Sequence, residues 1–198
     1  MNEFQILSEI KIKYPPDIYD GFFPFPSPFR GQKQIKVIIL GTDPGNCING
    51  KTIRFNYVFG LENRESPYFK QILKNLCLLK NFDFDEIYIQ NVCRCYFKVD
   101  TYKNKYWNEI ARKYWLPLLK QELDFLFEPR IPVFITTEKI LDIIMDKKIN
   151  ASRIYKENII IEKEENFLTR RIIAFYRHQR YDLNNWPEYL KHLQKLIY

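Results

Sequence analysis

The sequence lacks long apolar segments and C-x-x-C cysteine pairs, and it has few histidines. No stretch approaches the roughly 18 consecutive apolar residues of a membrane span, so we expect no contact with a membrane. The four cysteines, Cys47, Cys77, Cys93 and Cys95, form no C-x-x-C pair, and the chain has only two histidines. A zinc or iron–sulfur site is therefore poorly supported, and we expect neither a metal nor a cofactor.

The N-terminal stretch MNEFQILSEIKIKYPP does not fit a secretory signal, because it has no long apolar core and acidic residues interrupt it. We expect a cytoplasmic protein whose cysteines are reduced thiols. With 198 residues, the chain is expected to form a single domain, 1–198, and to act as a monomer. Residues 1–34 are predicted to supply a helix and a loop rich in phenylalanine and proline ahead of the first core strand.

Aromatic side chains and positive charge are both abundant. The sequence contains 16 Phe, 14 Tyr and 3 Trp, and its formal net charge is +7. Aromatic rings can form a bulky core or can stack on nucleic-acid bases, and the core is their more common place. A basic surplus favours an anionic partner such as DNA, although a generally basic surface would give the same net charge.

Apolar segments alternate with amphipathic ones along the chain. Four segments are predicted as main strands: 35–40, 86–91, 132–137 and 170–176. Residues 158–162 suggest a short extra strand, and 104–126 predict a long helix that bends near Pro117. Strands alternating with helices predict an α/β fold with a parallel sheet. Ligands of such sheets bind at the carboxyl ends of the strands, so the residues that follow each strand carry most weight.

Two motifs overlap after the first strand. The segment GNCINGKT, 45–52, fits the pattern G-x-x-x-x-G-K-[ST] of a phosphate-binding loop. Such a loop requires its first glycine directly after a strand and its Lys-Ser/Thr at the start of a helix. Here the strand ends at Leu40, and the residues after Thr52 are β-branched and aromatic. An NTPase is therefore a remote alternative, and the other motif, GTDPG, is the more informative one.

Four segments in order resemble motifs of the uracil-DNA glycosylase superfamily. VIILGTDPG resembles the first motif, and NGKTIRFNYVFG resembles the Gly-x-x-Phe segment. IYIQN resembles the second core strand, which ends in an asparagine, and FYRHQRYDLNNW resembles the closing strand with the motif histidine. The resemblance extends from about Ile35 to the C-terminus. It implies a three-layer α/β/α fold with a central four-stranded parallel sheet, and excision of uracil or a related deaminated base from DNA.

The resemblance implies two catalytic residues whose chemistry suits this reaction. The N-glycosidic bond breaks through an oxocarbenium-like sugar, as in related glycoside chemistry. An ionised carboxylate, Asp43, would stabilise that charge and orient a water molecule. A fixed donor, His178, would stabilise the negative charge that develops on the leaving base. Asp43 could instead be a turn residue that caps local amides, and His178 could be a surface histidine.

The resemblance also implies a base-binding set formed by Gly41, Thr42, Asn91 and one aromatic ring. The amide of Asn91 offers a donor and an acceptor, so it can pair with one edge of uracil, although it could also cap the following loop. Phe55 is the predicted stacking ring, and Phe59 is the second choice. A buried core position is the ordinary alternative for either ring.

Four residues are predicted to contact DNA. Arg177, Arg180 and Lys51 would meet phosphates, with a solvated basic surface as the alternative. Tyr181, or else Leu183, would fill the gap left by a flipped base or would pack against the last helix. The superfamily usually has H-P-S-P where this chain has HQRYD, 178–182. A catalytically inactive, nucleic-acid-binding member of the same fold is therefore the main alternative.

Overall fold

Continuously apolar segments form the centre of the structure. The computed structural model describes residues 2–15, 24–45, 47–48, 51–52, 54–62, 67–79 and 83–196. The strands are β1 (Phe29–Arg30), β2 (Val37–Gly41), β3 (Cys47–Ile48), β4 (Lys51–Thr52), β5 (Ile87–Asn91), β6 (Val133–Ile135) and β7 (Ile172–Ala174). Every residue of β2, β5, β6 and β7 is buried. Unbroken apolar sequence is typical of strands that are covered on both faces.

The main sheet has five strands in the order β1-β5-β2-β6-β7, and β3 pairs with β4 in a separate hairpin. Four of these strands, β5, β2, β6 and β7, are parallel to one another, whereas β1 runs antiparallel to β5. The α/β class predicted from sequence is confirmed, but the predicted strand count of four is wrong. The fifth strand, β1, has only two residues and lies in the Phe/Pro-rich segment, where no strand pattern can develop.

The helices alternate with the strands. The α-helices are α1 (Glu3–Lys13), α2 (Pro67–Leu78), α3 (Trp107–Ile110), α4 (Leu116–Leu126), α5 (Glu138–Ile144), α6 (Ala151–Glu157) and α7 (Pro187–Leu196). Short 3₁₀ segments are Val58–Gly60, Phe84–Glu86, Lys163–Glu165, Gln179–Tyr181 and Leu183–Asn185. None of the described helices combines the length and the apolar character needed to cross a membrane.

The predicted helix 104–126 is present but contains a π-helical turn. Ala111–Trp115 joins α3 to α4, and the amide of Leu116 donates to the carbonyl of Ala111. Pro117 follows directly and has no amide hydrogen to donate to an ordinary α-helical acceptor. The irregular turn thus falls beside the proline, near the predicted position of a bend.

The region before β7 differs from its prediction. No strand forms over 158–162; only Ile161 makes an isolated antiparallel bridge to Ile172. The preceding residues form α6 instead, which ends at Asn158 in a left-handed conformation with φ 54°. Asparagine adopts this conformation more easily than β-branched residues do, so it is a common helix terminator. The apolar run that follows was too short to distinguish a strand from an extended loop.

Candidate active site

The sheet topology places a crevice beside the carboxyl end of β2. From β2 the chain proceeds to β5 on one side of the sheet, and then to β6 and β7 on the other. Open α/β sheets bind ligands where the strand order reverses in this way. In this chain the reversal lies between β2 and β6. The hydroxyl of Thr136, just after β6, spans it by donating to the carbonyl of Leu40 at 2.9 Å.

The loops that follow β2 and β5 run side by side. Gly41 is the register partner of Asn91. Beyond the strands, the amide of Val92 donates to the carbonyl of Gly41, and the amide of Cys93 donates to the carbonyl of Thr42, both at 2.8 Å. The backbone thus brings the segment before Asp43 next to the segment after Asn91.

Asp43 is a buried carboxylate with an incomplete set of partners. Its Oδ1 accepts a hydrogen bond from the hydroxyl of Thr101, while its Oδ2 is buried without a partner among the described residues. Burial raises the pKa of Asp43; the Thr101 and Thr42 hydroxyls, the charge of Arg177 and the amide of Gly45 act in the opposite direction. A raised carboxyl pKa in a crevice is typical of functional sites.

Asn91 is a buried side-chain amide without partners. Its backbone amide donates to Oε1 of Gln90 at 2.9 Å, but within the described structure neither Oδ1 nor Nδ2 of Asn91 has a hydrogen-bond partner. A buried polar group left unpaired costs about 1–3 kcal/mol, and native structures contain few such groups. The side chain is therefore available to pair with a ligand.

Gly41 separates Asn91 from an aromatic ring. A Cβ placed on Gly41 would lie 2.1 Å from Cε1 of Phe59 and 2.4 Å from Oδ1 of Asn91. Only glycine allows this close approach, and the edge of the Phe59 ring therefore lies next to the Asn91 amide. Phe59 itself has φ 61°, a left-handed conformation that is rare for a bulky side chain and costs on the order of 1–3 kcal/mol.

Phe55, the ring preferred on sequence, packs against Gly60, where an added Cβ would be 2.9 Å from its Cε1. The amide of Phe55 donates to the hydroxyl of Tyr96 at 3.1 Å. Phe59 is the ring whose edge lies beside Asn91 and Gly41.

The segment 54–62 is held by hydrogen bonds to its own Glu62 and to Ser27 of the Phe/Pro-rich loop. The Glu62 carboxylate accepts from the amides of Asn56 at 2.7 Å and Tyr57 at 3.2 Å. On the other side, the amide of Ser27 donates to the carbonyl of Asn56, and the amide of Val58 donates to the carbonyl of Ser27. Ser27 of the Phe/Pro-rich loop is therefore hydrogen-bonded to the segment that carries Phe59. Residues 16–23 of that loop lie outside the described residues.

The sequence HQRYD folds into a capped 3₁₀ turn. His178 precedes Gln179–Tyr181, and its Nδ1 accepts a hydrogen bond from the amide of Arg180 at 3.1 Å. A nitrogen that accepts carries no proton, so the neutral ring has its hydrogen on Nε2. The exposed His178 ring is therefore a fixed hydrogen-bond donor.

A cleft of about 630 Å³ lies over the carboxyl ends of β6 and β7. It is lined by Gln71, Tyr102, Thr136, Thr137, Glu138, Ala151 and the segment 176–181. Arg177 belongs to this lining, and its charge also lowers the pKa of Asp43. Thr101, the hydroxyl partner of Asp43, directly precedes Tyr102 in the lining. The cleft and Asp43 are therefore adjacent parts of one region.

The predicted site residues thus form two groups and a remainder. The first group is Gly41, Asn91 and Phe59, which lie next to one another. Thr42 and Asp43 come directly after Gly41 in the same loop. Arg177, His178, Arg180 and Tyr181 line the cleft. The backbone of Lys51 lies in β4, and its side chain is outside the described part of the structure. Leu183 is fully buried and its amide donates to Asn75, so it packs inside the protein.

Several residues of this region had no signal in the sequence. Thr101 lies in the long segment between β5 and α3, where no motif distinguishes it. Thr137 occupies the position before α5 but makes no capping hydrogen bond. The hydroxyls of Thr137 and Tyr176 are buried and have no partner in the part of the chain that is described. The rule that ligands bind after parallel strands identifies the loops at this end of the sheet but not these side chains.

The structure does not support the phosphate-loop interpretation. Lys51 and Thr52 form β4, which pairs with β3, whereas a phosphate loop requires these two residues to begin a helix. Among the described residues, no three His, Cys, Asp or Glu side chains are placed to hold a metal ion. Cys93 and Cys95 are buried free thiols, and Cys77 is an exposed one.

Comparison with known proteins leaves the family open: no protein-family model matches the sequence, and no curated protein shows significant similarity to it.

Proposed function

We propose that this chain is a divergent member of the uracil-DNA glycosylase superfamily that hydrolyses the N-glycosidic bond of uracil or a related deaminated base in DNA. The fold would be the three-layer α/β/α arrangement of that superfamily, built on the four parallel strands from β5 to β7. The observation that carries the proposal is the juxtaposition of Asp43, Asn91 and Phe59 at the carboxyl ends of β2 and β5.

Each of these groups has a role in such a reaction. A base turned out of the helix would stack on the Phe59 ring, and its polar edge would pair with the two unpartnered atoms of the Asn91 amide. Ionised Asp43 would stabilise the positive charge that develops on the sugar and would orient a water molecule. The Nε2 hydrogen of His178 would stabilise the negative charge on the leaving base, and Arg180 would bind a phosphate.

A base-release assay tests this proposal. Single- and double-stranded oligonucleotides that carry uracil, hypoxanthine or xanthine are incubated with the protein and then treated with alkali, which cleaves the strand at abasic sites. We expect cleavage with at least one of these bases. Asp43→Asn should lower the rate about 10²–10³-fold, and Asn91→Ala should lower it at least about tenfold.

Asp146→Asn is the matched control, because Asp146 is exposed and lies outside both groups of site residues; its rate should equal that of the wild type. Absence of cleavage with every substrate, by protein that melts cooperatively, would refute the proposal.

One observation favours a second function, that of a catalytically inactive DNA-binding protein. Asn91 is only 1% exposed and the edge of the Phe59 ring lies next to its amide, so a base would reach the amide only if these side chains moved. In that case the same protein would bind DNA in a salt-sensitive manner and release no base from any substrate. The two measurements, on one preparation, separate the two functions.

A further inference from the structure

The cleft over β6 and β7 adjoins the site proposed for the excised base, because His178 and Arg180 line it, but it extends beyond that site. Its volume of about 630 Å³ is within the range of about 300–1,000 Å³ that is usual for ligand sites. Neither Asn91 nor Phe59 lines it. A base held between Asn91 and Phe59 would therefore leave the part of the cleft around Tyr102 and Glu138 unfilled.

Groups of opposite charge line the cleft. Arg177 and Arg180 come from the turn after β7, and Glu138 comes from the first turn of α5. Tyr102 and Tyr176 line the same cleft as Glu138. Phosphate alone would meet repulsion from Glu138. A ligand with an anionic part and a hydrogen-bond-donating part would match both kinds of group.

Two buried hydroxyls in the lining also lack partners. Thr137 and Tyr176 are 4% and 3% exposed, and the described residues offer no hydrogen-bond partner to either hydroxyl oxygen. Since an unpaired buried hydroxyl is costly, a polar ligand or bound water would be stabilised there. Both hydroxyls can donate and accept, which suits the mixed polar edge of a nucleobase.

The aromatic lining completes a set of groups that suits a nucleotide. Tyr102 is 66% exposed, so its ring is open to a stacking partner. Tyr181 stacks on Trp186, with an interplanar angle of 19°, and the guanidinium carbon of Arg180 is 5.9 Å from the centre of the Tyr181 ring. Bases stack readily on such rings whatever their sequence.

We propose that this cleft binds a second nucleotide of the DNA strand that carries the excised base, with its phosphate on Arg180, its base against Tyr102, and a base amino group donating to Glu138. This inference rests on the proposed function, because the strand is the one held at Asn91. Adenine, cytosine and guanine offer an amino group. The single N–H of thymine is flanked by two carbonyl oxygens, which the carboxylate would repel. Because pairing occupies the edge of the base, the site selects an unpaired base.

Binding of uracil-free DNA tests the inference. The probes are labelled five-nucleotide strands of thymidine, with either thymine, adenine, cytosine or guanine at the centre, and the readout is fluorescence anisotropy at fixed salt. We expect at least one amino-bearing probe to bind about tenfold more tightly than all-thymine DNA, which corresponds to one charge-assisted hydrogen bond. Glu138→Gln should remove that difference, and Tyr102→Ala should weaken binding of every probe.

Glu138→Gln and Tyr102→Ala are expected to leave the fold intact, so a change in binding would reflect the cleft itself. A glutamine can still accept from the amide of Ala151, which donates to Glu138 Oε1 at 3.3 Å, and Tyr102 is mostly exposed. Glu164→Gln, an exposed glutamate on the 3₁₀ segment Lys163–Glu165, is the matched control and should keep the preference. Thermal melting of each variant should be close to that of the wild type.

Equal binding of all four probes, or a preference that survives Glu138→Gln, would overturn the inference. Loss of binding in Arg180→Ala alone, with Tyr102→Ala and Glu138→Gln unchanged, would also overturn it, since it would indicate only a phosphate contact. Asp43→Asn protein should show the same preference as the wild type. An absence of base release would thus leave this result standing, and an absence of preference would leave base release standing.

Discussion

Three unpaired buried polar atoms lie at the carboxyl ends of β2 and β5. Oδ2 of Asp43 and both side-chain atoms of Asn91 have no partners among the described residues, and Phe59 beside them has a left-handed backbone. Each of these features destabilises the fold by an amount on the order of 1 kcal/mol or more. Destabilising features of this kind are common at functional sites, where activity requires an arrangement that costs stability.

At the residue scale, we predict that Asp43→Asn makes the protein more stable at neutral and alkaline pH. Burial raises the pKa of Asp43 above its ordinary value of 3.8, so above that raised pKa the folded state must hold a buried charge that the unfolded chain holds in water. Below pH 3.8 the carboxyl is neutral in both states and the penalty vanishes. Thermal melting of both proteins from pH 4 to pH 9 should show a gap that widens with pH.

A gap that is constant across this range, or a less stable variant at high pH, would contradict the prediction. The activity of the wild type is expected to follow the same titration in the opposite sense. If the ionised carboxylate is the active form, as proposed, base release should decline as the pH falls through the raised pKa, at a higher pH than for an ordinary aspartate.

The sequence predicted some of these residues and not others, for a physical reason. Asp43 lies two residues after β2 and Asn91 is the last residue of β5, and the parallel-sheet rule therefore identifies their positions. The choice between Phe55 and Phe59 depends on a positive φ at Phe59 and on the close approach at Gly41. No residue pattern encodes that geometry, because phenylalanine is an unusual residue for a left-handed position.

At the scale of elements, the end of α4 is fixed by one buried arginine. The Arg170 guanidinium is fully buried and donates to the carbonyls of Leu123, Phe127 and Glu128 at 2.9, 2.7 and 2.6 Å. Leu123 lies in the last turn of α4, and Phe127 and Glu128 follow directly after the helix. Arg170 therefore links the start of β7 to the end of α4, at the end of the sheet opposite to Asp43.

We predict that Arg170→Met lowers the free energy of unfolding by about 3–5 kcal/mol, because it removes a buried donor from three carbonyls and breaks the ion pair with Asp124. The adjacent Arg171→Met is the control. Arg171 is partly exposed and its ion pair with Glu162 is 3.4 Å long, so we expect a loss within about 1 kcal/mol. Denaturant unfolding compares the two. Similar losses in both variants would contradict the role of Arg170.

Elements were predicted well where local pattern and tertiary environment agree. The four parallel strands and α1 were found because continuous apolar runs and a proline boundary are local signals. Helix α6 was missed, and 158–162 was taken for a strand, because a short apolar run has no periodicity of its own. The edge strand β1 has only two residues, and it forms by pairing with β5. A local sequence pattern cannot reveal such long-range pairing.

At the scale of the whole molecule, the net charge of +7 does not say which surface would bind DNA. The fold does, because it places arginines at different ends of the sheet. The turn after β7 presents Arg177 and Arg180 in the cleft, while Arg130 precedes β6 at the other end of the sheet, where it pairs with Glu128 at 2.7 Å. If DNA binds at the carboxyl ends of the strands, the first pair neutralises phosphates and Arg130 does not.

This asymmetry predicts the salt dependence of DNA binding. The logarithm of the affinity should fall linearly with the logarithm of salt concentration, and Arg180→Ala should reduce the slope by about 0.7–0.9, the value of one phosphate contact. Arg130→Ala removes the same charge from the opposite end and should leave the slope unchanged. Equal reductions in both variants, measured by anisotropy with uracil-free DNA, would mean that the basic surplus acts as a whole and that the crevice does not orient the strand.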